Sequence, residues 1–498
     1  MDQSSTPLVD ALQHCAIRPN AAFHTPGHKR GQRITPRQRQ LFGAAAFQAD
    51  LPELPELDNL FAPEDVILHA QQLAAEAFGA QQTWFLANGS TCGIEAAILA
   101  TCGPGDKIIV PRNAHLSVIS GLILSGAVPV YISPPYTRDW NMPIGFMGPE
   151  YIASALKAHP DTKAVLLVSP TYEGVCSYIC LAAKIIHAHN IPLIVDEAHG
   201  PHFAFHPGLP PTALEEGADI VVQSAHKVLS AFTQAALLHT QGNRIDRNRL
   251  TQSLQLTQSS SPSYLLLASL DAARHQMATK GEALLDQTIK LAQKASLALK
   301  KLPGLKVLRP NARRYVFNGD CTRLTVNVLG LGLTGFEADH ILHTQYAVTA
   351  ELPTLSNLTF IISIGNTEQD IDQLIHGYAG LCTSHTTSET HPLNPNFYDQ
   401  LAHCFENTEA TLPKAVSSAT CSPRQAFFSA KVARSLNQAV GKVCAETLSP
   451  YPPGIPVIMP GEIITENAIA YLQATLKAGG IITGCADPTL KTVLTVKP

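Results

Sequence analysis

The sequence predicts an α/β fold in which a mostly parallel sheet lies between helices, followed by smaller α+β domains toward the C terminus. Between about residues 80 and 240, apolar β-rich runs alternate with helical patterns. These runs are apolar throughout, as in strands whose two faces are both covered by helices. A chain of 498 residues with 45% hydrophobic residues can also bury a large core.

Strands and helices of the predicted sheet domain follow one another in chain order. In an open sheet of this kind, ligands bind beyond the carboxyl ends of the strands, so candidate site residues come directly after each strand. The predicted strands are "TWFLA", "KIIVPR", "VPVYI", "KAVLLVS", "IPLIVD" and "ADIVVQ", and the helices are "CGIEAAILATC", "HLSVISGLILSG" and "CLAAKIIHAHN".

The patterning changes after the sheet domain. Residues 282–300 predict a long amphipathic helix, and "CTRLTVNVLG" and "LTFIISIG" predict strands of a smaller α+β domain. The serine, threonine and proline residues of 383–396 are typical of a linker. The predicted organisation is an N-terminal arm (1–60), a large domain (61–300), a small α+β domain (301–382), a linker (383–397) and a C-terminal domain (398–498).

Composition narrows the class of protein. The net charge of -4 gives no basic field for nucleic acid, and no basic cluster suits a membrane surface. The start, "MDQSSTPLVDALQHC", lacks a secretory pattern, and the longest apolar stretch is too short to span a bilayer. Eleven cysteines without a C-x-x-C pair argue against a disulfide framework. We expect a soluble, reduced, cytoplasmic protein without nucleic-acid or membrane partners.

The stretch "LANGSTCG" (86–93) follows a predicted strand and opens a helix. Backbone N–H groups at a helix N terminus, together with the hydroxyls of Ser90 and Thr91, can bind a phosphate group. An ordinary N-cap is the alternative, because serine and threonine are favoured there in any case. Taken alone, this stretch favours the N-cap.

Asp196 stands at the carboxyl end of the apolar run "IPLIVD". A buried carboxylate needs a partner, which could be a cationic ring nitrogen of a cofactor or, equally, a helix end or a basic side chain. His199 could hydrogen-bond the same ligand. His199 and His202 have H-x-x-H spacing, but the sequence offers no third ligand and Gly-Pro between them breaks a helix. We therefore predict no metal site.

Lys227 follows the next predicted strand, within "QSAHK", and Ser224 and His226 stand beside it. A single lysine is normally a surface residue. Here, however, a phosphate site, a carboxylate and an amine come in the order that pyridoxal 5'-phosphate requires. The amine binds the cofactor covalently, and the carboxylate keeps the ring nitrogen protonated so that the ring can accept electrons. The combination predicts this cofactor at Lys227.

His115 lies in "PRNAHLS" (111–117), at another junction between a strand and a helix. An imidazole there could stack on the cofactor ring, on the side opposite the lysine. From the residues alone, a histidine that satisfies local backbone groups is the favoured alternative.

Over nearly its whole length the chain resembles the pyridoxal-phosphate-dependent ornithine/lysine/arginine decarboxylases of bacterial type, which have fold type I. Because the matching stretches run in family order, the resemblance is more specific than any single motif. Since "HTPGHKRG" falls near the start, the chain resembles the short form, which lacks the extra N-terminal domain of the larger enzymes. The stretches are "FHTPGHKRG", "DLPELPELDNLFAPE", "ANGSTCGIEAAIL", "PRNAHLS", "SPTYEGVCS", "VDEAHGPHF", "QSAHKVLSAFTQAALLH" and "YPPGIPVIMPGE".

The resemblance implies a role for each site residue. Lys227 would carry the cofactor, Asp196 would pair with its ring nitrogen, and His199 would lie near the ring's 3-oxygen. His115 would stack on the ring and sit near the substrate carboxylate. The phosphate would be held by Gly89, Ser90, Thr91, Ser224 and His226, with Gly89 allowing close approach of the backbone.

The resemblance also implies a basic amino acid as substrate, arginine first and lysine second. Glu462, in "YPPGIPVIMPGE", is similar to the family's acidic residue near the substrate amine. The acidic run "ADLPELPELD" could supply further carboxylates, or it could be a solvated segment. Sites of fold type I usually lie at a dimer interface, so a homodimer or a higher homo-oligomer is expected.

Two departures from the family pattern put substrate choice or a contact between subunits in doubt. Leu116 replaces the usual basic residue after the stacking histidine, and "SYIC" (177–180) replaces an aspartate-containing continuation. Two other functions therefore stay open. One is an aminotransferase or another lyase on the same fold, for which Arg323 is an available carboxylate-binding residue. The other is a catalytically silent regulatory protein that still binds the cofactor.

Overall fold

The computed structural model describes residues 1–143, 148–308, 319–385, 421–451 and 454–497. The chain divides into two compact units. The first unit contains residues 1–100 and 195–285, and the second unit contains residues 101–194 and 286–498. The candidate site residues are distributed over both units.

Many helices begin where the sequence supplies a cap. Thr35, Thr334, Thr367 and Ser422 each accept a hydrogen bond from the backbone three residues later and complete a capping box. The helix predicted at 282–300 is the second half of α10, which begins eighteen residues earlier than predicted. The helices are α1 (Pro7–Ile17), α2 (Pro36–Ala49), α3 (Val66–Phe78), α4 (Gly89–Thr101), α5 (Leu116–Ser125), α6 (Pro149–Ala158), α7 (Ile179–Ala188), α8 (Ala225–Val228), α9 (Arg247–Thr257), α10 (Tyr264–Leu299), α11 (Gly335–Tyr346), α12 (Glu368–Ser384), α13 (Pro423–Phe428), α14 (Leu436–Ala439) and α15 (Glu466–Lys477).

The six strands predicted for the sheet domain are present, and two of them, β7 and β8, are buried at every residue, which explains their continuous apolar runs. The strands are β1 (Gln82–Leu86), β2 (Lys107–Pro111), β3 (Val128–Ile132), β4 (Tyr136–Thr137), β5 (Met142–Pro143), β6 (Thr162–Val168), β7 (Leu193–Asp196), β8 (Ile220–Gln223), β9 (Ala236–Thr240), β10 (Lys306–Val307), β11 (Arg323–Asn327), β12 (Leu352–Pro353), β13 (Asn357–Ile361), β14 (Lys431–Ser435), β15 (Ser449–Tyr451), β16 (Ile481–Thr483) and β17 (Thr492–Val496).

In the first unit, β9 lies between β1 and β8 and is antiparallel to both. The sheet is therefore mixed, and the expectation of parallel strands misses β9. The physical reason is the connection between β8 and β9, residues 224–235. It holds only the one-turn helix α8, whereas a parallel return needs a full crossover element.

The N-terminal helix of the first unit is attached to α10 by a buried ion pair. Asp271 and Arg274 are 0% and 1% exposed. One carboxylate oxygen of Asp271, Oδ2, accepts the backbone N–H of Leu8 (3.0 Å) and of Val9 (3.4 Å), and Oδ1 accepts from Arg274. Arg274 also donates to the backbone oxygen of Gln3 at 2.8 Å. Asp271 thus satisfies N–H groups that the first turn of α1 leaves unpaired.

In the second unit, β6, β2 and β3 are parallel, with β2 in the middle. A separate antiparallel sheet has the order β10-β11-β13-β12 and packs with α11 and α12 around Val326, Leu358 and Tyr378. This arrangement matches the smaller α+β domain that the sequence predicts.

The C-terminal part of the second unit has its own small core. Two-stranded sheets, β14 with β17 and β15 with β16, enclose this core together with α15, around Ile464, Leu472 and Val493. The predicted linker, 383–397, falls mostly outside the described residues, although α12 continues to Ser384. The domain bounds therefore stay a prediction.

Candidate active site

Lys227 and His199 meet in the first unit, each just beyond the carboxyl end of a strand. Lys227 lies in α8, directly after β8, and His199 follows β7. The Lys227 Nζ atom is 2.9 Å from His199 Nε2. Because an ammonium group can only donate, the charged form of Lys227 requires an unprotonated Nε2 on His199. The sequence prediction that these residues share one site is in keeping with this geometry.

Asp196, the last residue of β7, is a nearly buried carboxylate at 6% exposure. Within the described residues its side chain accepts one hydrogen bond, at Oδ1 from the backbone N–H of Ala198 (3.2 Å). Burial raises the pKa of Asp196, and the positive charge of Lys227 opposes that rise. A carboxylate in this state would gain from a further cationic partner.

Ser90 and Ser224 come together from distant parts of the sequence. Ser224 Oγ donates to Ser90 Oγ at 2.8 Å, and Ser224 is fully buried. Gly89, the first residue of α4, has a φ of +77°, a conformation that favours glycine. Thr91, next in the same turn, is exposed. Two hydroxyls and the start of a helix therefore share one location, as a phosphate site requires.

His226 is oriented by the backbone next to Lys227. Its Nδ1 donates to the carbonyl oxygen of Ala235 at 3.1 Å, since a carbonyl oxygen can only accept. Burial lowers the pKa of His226, and this hydrogen bond opposes the lowering. A neutral His226 therefore has its proton on Nδ1 and a lone pair on Nε2.

Behind these residues, a buried chain of hydrogen bonds runs from Glu197 to Thr83. Glu197 accepts from Ala213 N–H (2.8 Å) and from the Gln223 side-chain amide (2.7 Å). His239 lies 3.1 Å from the Gln223 oxygen and 2.8 Å from Thr83 Oγ1. Burial raises the pKa of Glu197 to about 8 and lowers that of His239 to about 3. Sequence reasoning missed this chain, although polar residues inside apolar strands were a signal.

His115 occupies the second unit, where it is the N-cap of α5. Its Nδ1 accepts the backbone N–H of Ser117 at 3.1 Å. The local backbone role considered for His115 is therefore real, and it is compatible with a further role of the ring.

Glu462, also in the second unit, is paired with Arg112. The distance from Arg112 NH2 to Glu462 Oε2 is 2.9 Å, and the side chains are 16% and 12% exposed. Arg112 was missed at the sequence level, although it follows β2 directly. The partner it finds is 350 residues away in the sequence.

The acidic run at 50–58 is engaged in local contacts of the first unit. Asp50 Oδ2 lies 3.1 Å from His28 Nε2, and Glu56 pairs with Arg18. Asp58 accepts the N–H groups of Asp65 (2.9 Å) and Ile67 (3.1 Å) at the start of α3. Glu53 accepts from the Asn59 amide at 2.8 Å. Each of these four carboxylates thus has a partner within the first unit, which favours a local role for the segment over a role in the site.

Arg323, the residue considered for an aminotransferase, lies in β11 of the second unit. It is buried, and its Nε is 3.5 Å from the carboxylate of Asp320, which is also buried. Burial lowers the pKa of Arg323, and the charge of Asp320 opposes this. The charge of Arg323 is therefore already compensated by the carboxylate of Asp320.

The described residues give no sign of a metal site or of a membrane-spanning helix. They contain no group of three or more histidine, cysteine, aspartate or glutamate residues arranged to hold a metal ion. No helix among them is both long and apolar enough to cross a bilayer.

Comparison with solved structures defines the class of fold. Lysine decarboxylase A from Pseudomonas aeruginosa superimposes with a TM-score of 0.82 at 22% identity, covering 99% of this chain and 81% of that one. The mixed sheet between helices and the small C-terminal domains thus have the same fold as that decarboxylase.

Comparison of sequences identifies the family. The model of the Orn/Lys/Arg decarboxylase major domain matches residues 6–371, and that of the C-terminal domain matches residues 404–485. Arginine decarboxylase of Bacillus subtilis is 36% identical over 100% of this chain and 99% of its own. A lysine decarboxylase of Pseudomonas aeruginosa is 26% identical over 94% of this chain and 75% of its own. The chain belongs to the ornithine/lysine/arginine decarboxylase family and is an amino-acid decarboxylase.

Proposed function

We propose that this chain decarboxylates arginine to agmatine, with pyridoxal 5'-phosphate bound at Lys227. The observation that carries the proposal is the meeting of Lys227 with His199 near the buried Asp196, at the ends of β7 and β8. Arginine is preferred to lysine because the Bacillus relatives at 36% identity are named arginine decarboxylases, whereas the lysine decarboxylases of Pseudomonas aeruginosa and Escherichia coli are 26% and 24% identical.

The residues present fit the cofactor. Asp196 is a buried carboxylate with one hydrogen bond from the described residues, so a protonated ring nitrogen would provide a cationic partner. The paired hydroxyls of Ser90 and Ser224 beside the start of α4 fit a phosphate. When bound, pyridoxal phosphate supplies an electron sink for the pair left behind as the substrate carboxylate departs as CO2.

Each residue then has a defined task. Lys227 would hold the cofactor covalently through Nζ, Asp196 would pair with the ring nitrogen, and His199 would face the ring oxygen. His115 would stack on the ring. The phosphate would be held by Gly89, Ser90, Thr91, Ser224 and His226.

Lys227 and His199 also supply proton chemistry. A lysine amine is nucleophilic only when it is unprotonated. At 2.9 Å, His199 Nε2 is within reach of the Lys227 ammonium and accepts its proton. His199 thereby prepares the amine for covalent chemistry.

We also propose that the protein acts in the cytoplasm as a homodimer or a higher homo-oligomer, in polyamine biosynthesis. In support, none of the cysteines in the described part of the chain forms a disulfide, as expected in a reducing compartment. The low charged fraction of 15% favours burial of surface between subunits.

The test is release of CO2 from arginine, lysine and ornithine, each with and without added pyridoxal phosphate and without any keto acid. We expect cofactor-dependent release, fastest from arginine. K227A should lose turnover by about a thousandfold or more, because the covalent attachment is gone. The matched control is K280A, an exposed lysine of α10 in the same unit, which should be unaffected.

Three outcomes would contradict the proposal. Near-normal turnover by K227A would exclude Lys227 as the attachment point. Activity that depends on a keto acid would indicate an aminotransferase. A yellow protein inert toward all three amino acids would indicate a regulatory homologue.

A further inference from the structure

Arg112 binds one short C-terminal segment at three points. This arginine directly follows β2 in the second unit. Its NH1 donates to the carbonyl oxygen of Pro456 (2.9 Å), and its NH2 donates to that of Val457 (2.7 Å) and to Glu462 Oε2 (2.9 Å). A guanidinium is a rigid, planar fork, so bonds in several directions fix the segment in position and in orientation.

Glu462 closes this arrangement from the other side. The same Oε2 atom accepts the backbone N–H of Met459 at 2.8 Å, so the carboxylate binds both Arg112 and its own turn. The aromatic ring of Tyr131, in β3, lies 5.7 Å from the guanidinium carbon. Both charged groups are largely removed from water, and loss of either would leave the other poorly compensated.

The segment that Arg112 holds lies against His115. The backbone N–H of Leu116 donates to the carbonyl oxygen of Gly454 at 3.1 Å. Gly454 has a φ of +86°, and a Cβ atom at this position would lie 3.4 Å from His115 Nε2. The backbone at 454 therefore borders the edge of the imidazole that carries Nε2. Since Nδ1 accepts from Ser117 N–H, a neutral His115 has its proton on Nε2, at this edge.

We infer that Arg112 and Glu462 are positioning residues: their ion pair fixes residues 454–462, and this segment fixes the imidazole of His115. The inference rests on the proposed function, in which His115 stacks on the cofactor ring. It assigns Arg112 a task and gives Glu462 a structural partner instead of a direct contact with the substrate amine. The alternative, in which Glu462 binds the substrate, is decided by the same experiment.

The experiment compares R112M, E462Q and the double variant by two measurements. Methionine keeps an apolar stem on Tyr131 without the fork, and glutamine keeps the shape of Glu462 without its charge. R112K is included because it retains the charge and should fold even where R112M does not. The matched control is K107M, which breaks the Lys107–Asp161 pair (2.9 Å) at the other end of β2.

The first measurement is hydrogen exchange on the protein without cofactor. Peptides that contain the amides of Leu116 and Met459 should exchange about tenfold faster in R112M and in E462Q. The Leu116 amide donates to Gly454, at one end of the segment, and the Met459 amide donates to Glu462, at the other end. K107M should exchange like the wild type in these peptides. Unchanged exchange in R112M and E462Q would overturn the inference, whatever the activity.

The second measurement is steady-state decarboxylation. R112M and E462Q should each lower kcat by about tenfold with little change in KM. The kcat of the double variant should equal that of the less active single variant, because the two residues act as a unit. R112K should lie between wild type and R112M. If E462Q raises KM while R112M leaves both constants unchanged, Glu462 contacts the substrate and the inference is wrong.

The two measurements separate this inference from the proposed function. Failure of the wild-type protein to release CO2 from any basic amino acid would overturn the function. The exchange measurement would still decide whether Arg112 and Glu462 hold residues 454–462.

Discussion

Two buried aspartates of the first unit, Asp196 and Asp271, differ in what surrounds them. Asp271 is saturated, because its two oxygens accept from Leu8, Val9 and Arg274. Asp196 accepts one hydrogen bond within the described residues, and burial raises its pKa. A saturated carboxylate stabilises the fold, whereas one with capacity to spare is costly until a ligand arrives. Under the proposed function, this difference separates a structural group from a functional one.

D196N should give the largest effect on activity. Asparagine removes the charge that would face the cofactor's ring nitrogen, so we expect kcat to fall by roughly a hundred- to a thousandfold, as for other preorganised electrostatic groups. Thermal unfolding of the cofactor-free protein should occur at the same or a higher temperature, because a costly buried charge is removed. A clear loss of stability with normal activity would show that Asp196, like Asp271, stabilises the fold and does not serve the reaction.

D271N should affect stability instead. Arg274 would lose its charged partner while fully buried, so the free energy of unfolding should fall by about 3 kcal/mol. Denaturant unfolding gives this value, and kcat per folded molecule should be unchanged. D372N provides the control, since its pair with Lys294 is exposed and should contribute little to stability.

H226Q should have a moderate effect, confined to cofactor binding. Only the charged imidazole can donate from Nε2 to a phosphate while Nδ1 still bonds Ala235. The affinity of the wild-type protein should therefore rise as the pH falls through the pKa of His226, which lies below 6.5. H226Q should lower the affinity at low pH, where the wild-type imidazole is charged, and flatten this dependence. Absorbance titration of the cofactor-free protein between pH 5 and 8 measures both, and an unchanged slope would exclude His226 as a phosphate contact.

E197Q should have an effect on stability that depends on pH and is smallest below about pH 4.5. The pKa of Glu197 is about 8 in the folded protein and ordinarily 4.5, so the native state retains a proton that the unfolded state releases. Stability of the wild type should thus decrease as the pH rises from about 4.5 to 8. The glutamine variant lacks this term, so the two proteins should be similarly stable below about pH 4.5, and the variant should become the more stable one as the pH rises toward 8. Parallel pH curves for the two proteins would contradict this expectation.

Sequence reasoning located the strand ends well, because the information is local. Apolar runs mark β7 and β8, and Asp196 and Lys227 follow from residue type and from position relative to those runs. The fold class was predicted correctly for the same reason, and the family was predicted correctly from its resemblance to stretches along nearly the whole chain. The meeting of Ser90 with Ser224 also follows from the rule that ligands bind at one edge of such a sheet.

Partners that are far apart in the sequence could not be found in this way. No local pattern connects Arg112 to Glu462 or Asp271 to Leu8, since each pair depends on the completed packing. The direction of β9 was missed because period and composition do not encode strand direction. Whether a carboxylate is saturated is likewise a property of the folded chain alone.

The chain of hydrogen bonds from Glu197 to Thr83 can be read in two directions. With Glu197 ionised, Gln223 donates to it, His239 donates from Nε2 to Gln223, and Thr83 donates to Nδ1. When protonation of Glu197 reverses the chain, the Gln223 amide turns over, its oxygen accepts from the carboxyl O–H, its N–H donates to Nε2 of His239, and the imidazole proton moves to Nδ1. The tautomer of His239 thus indicates whether Glu197, the residue next to Asp196, is ionised. Nitrogen chemical shifts of that one ring would report it without perturbing the site.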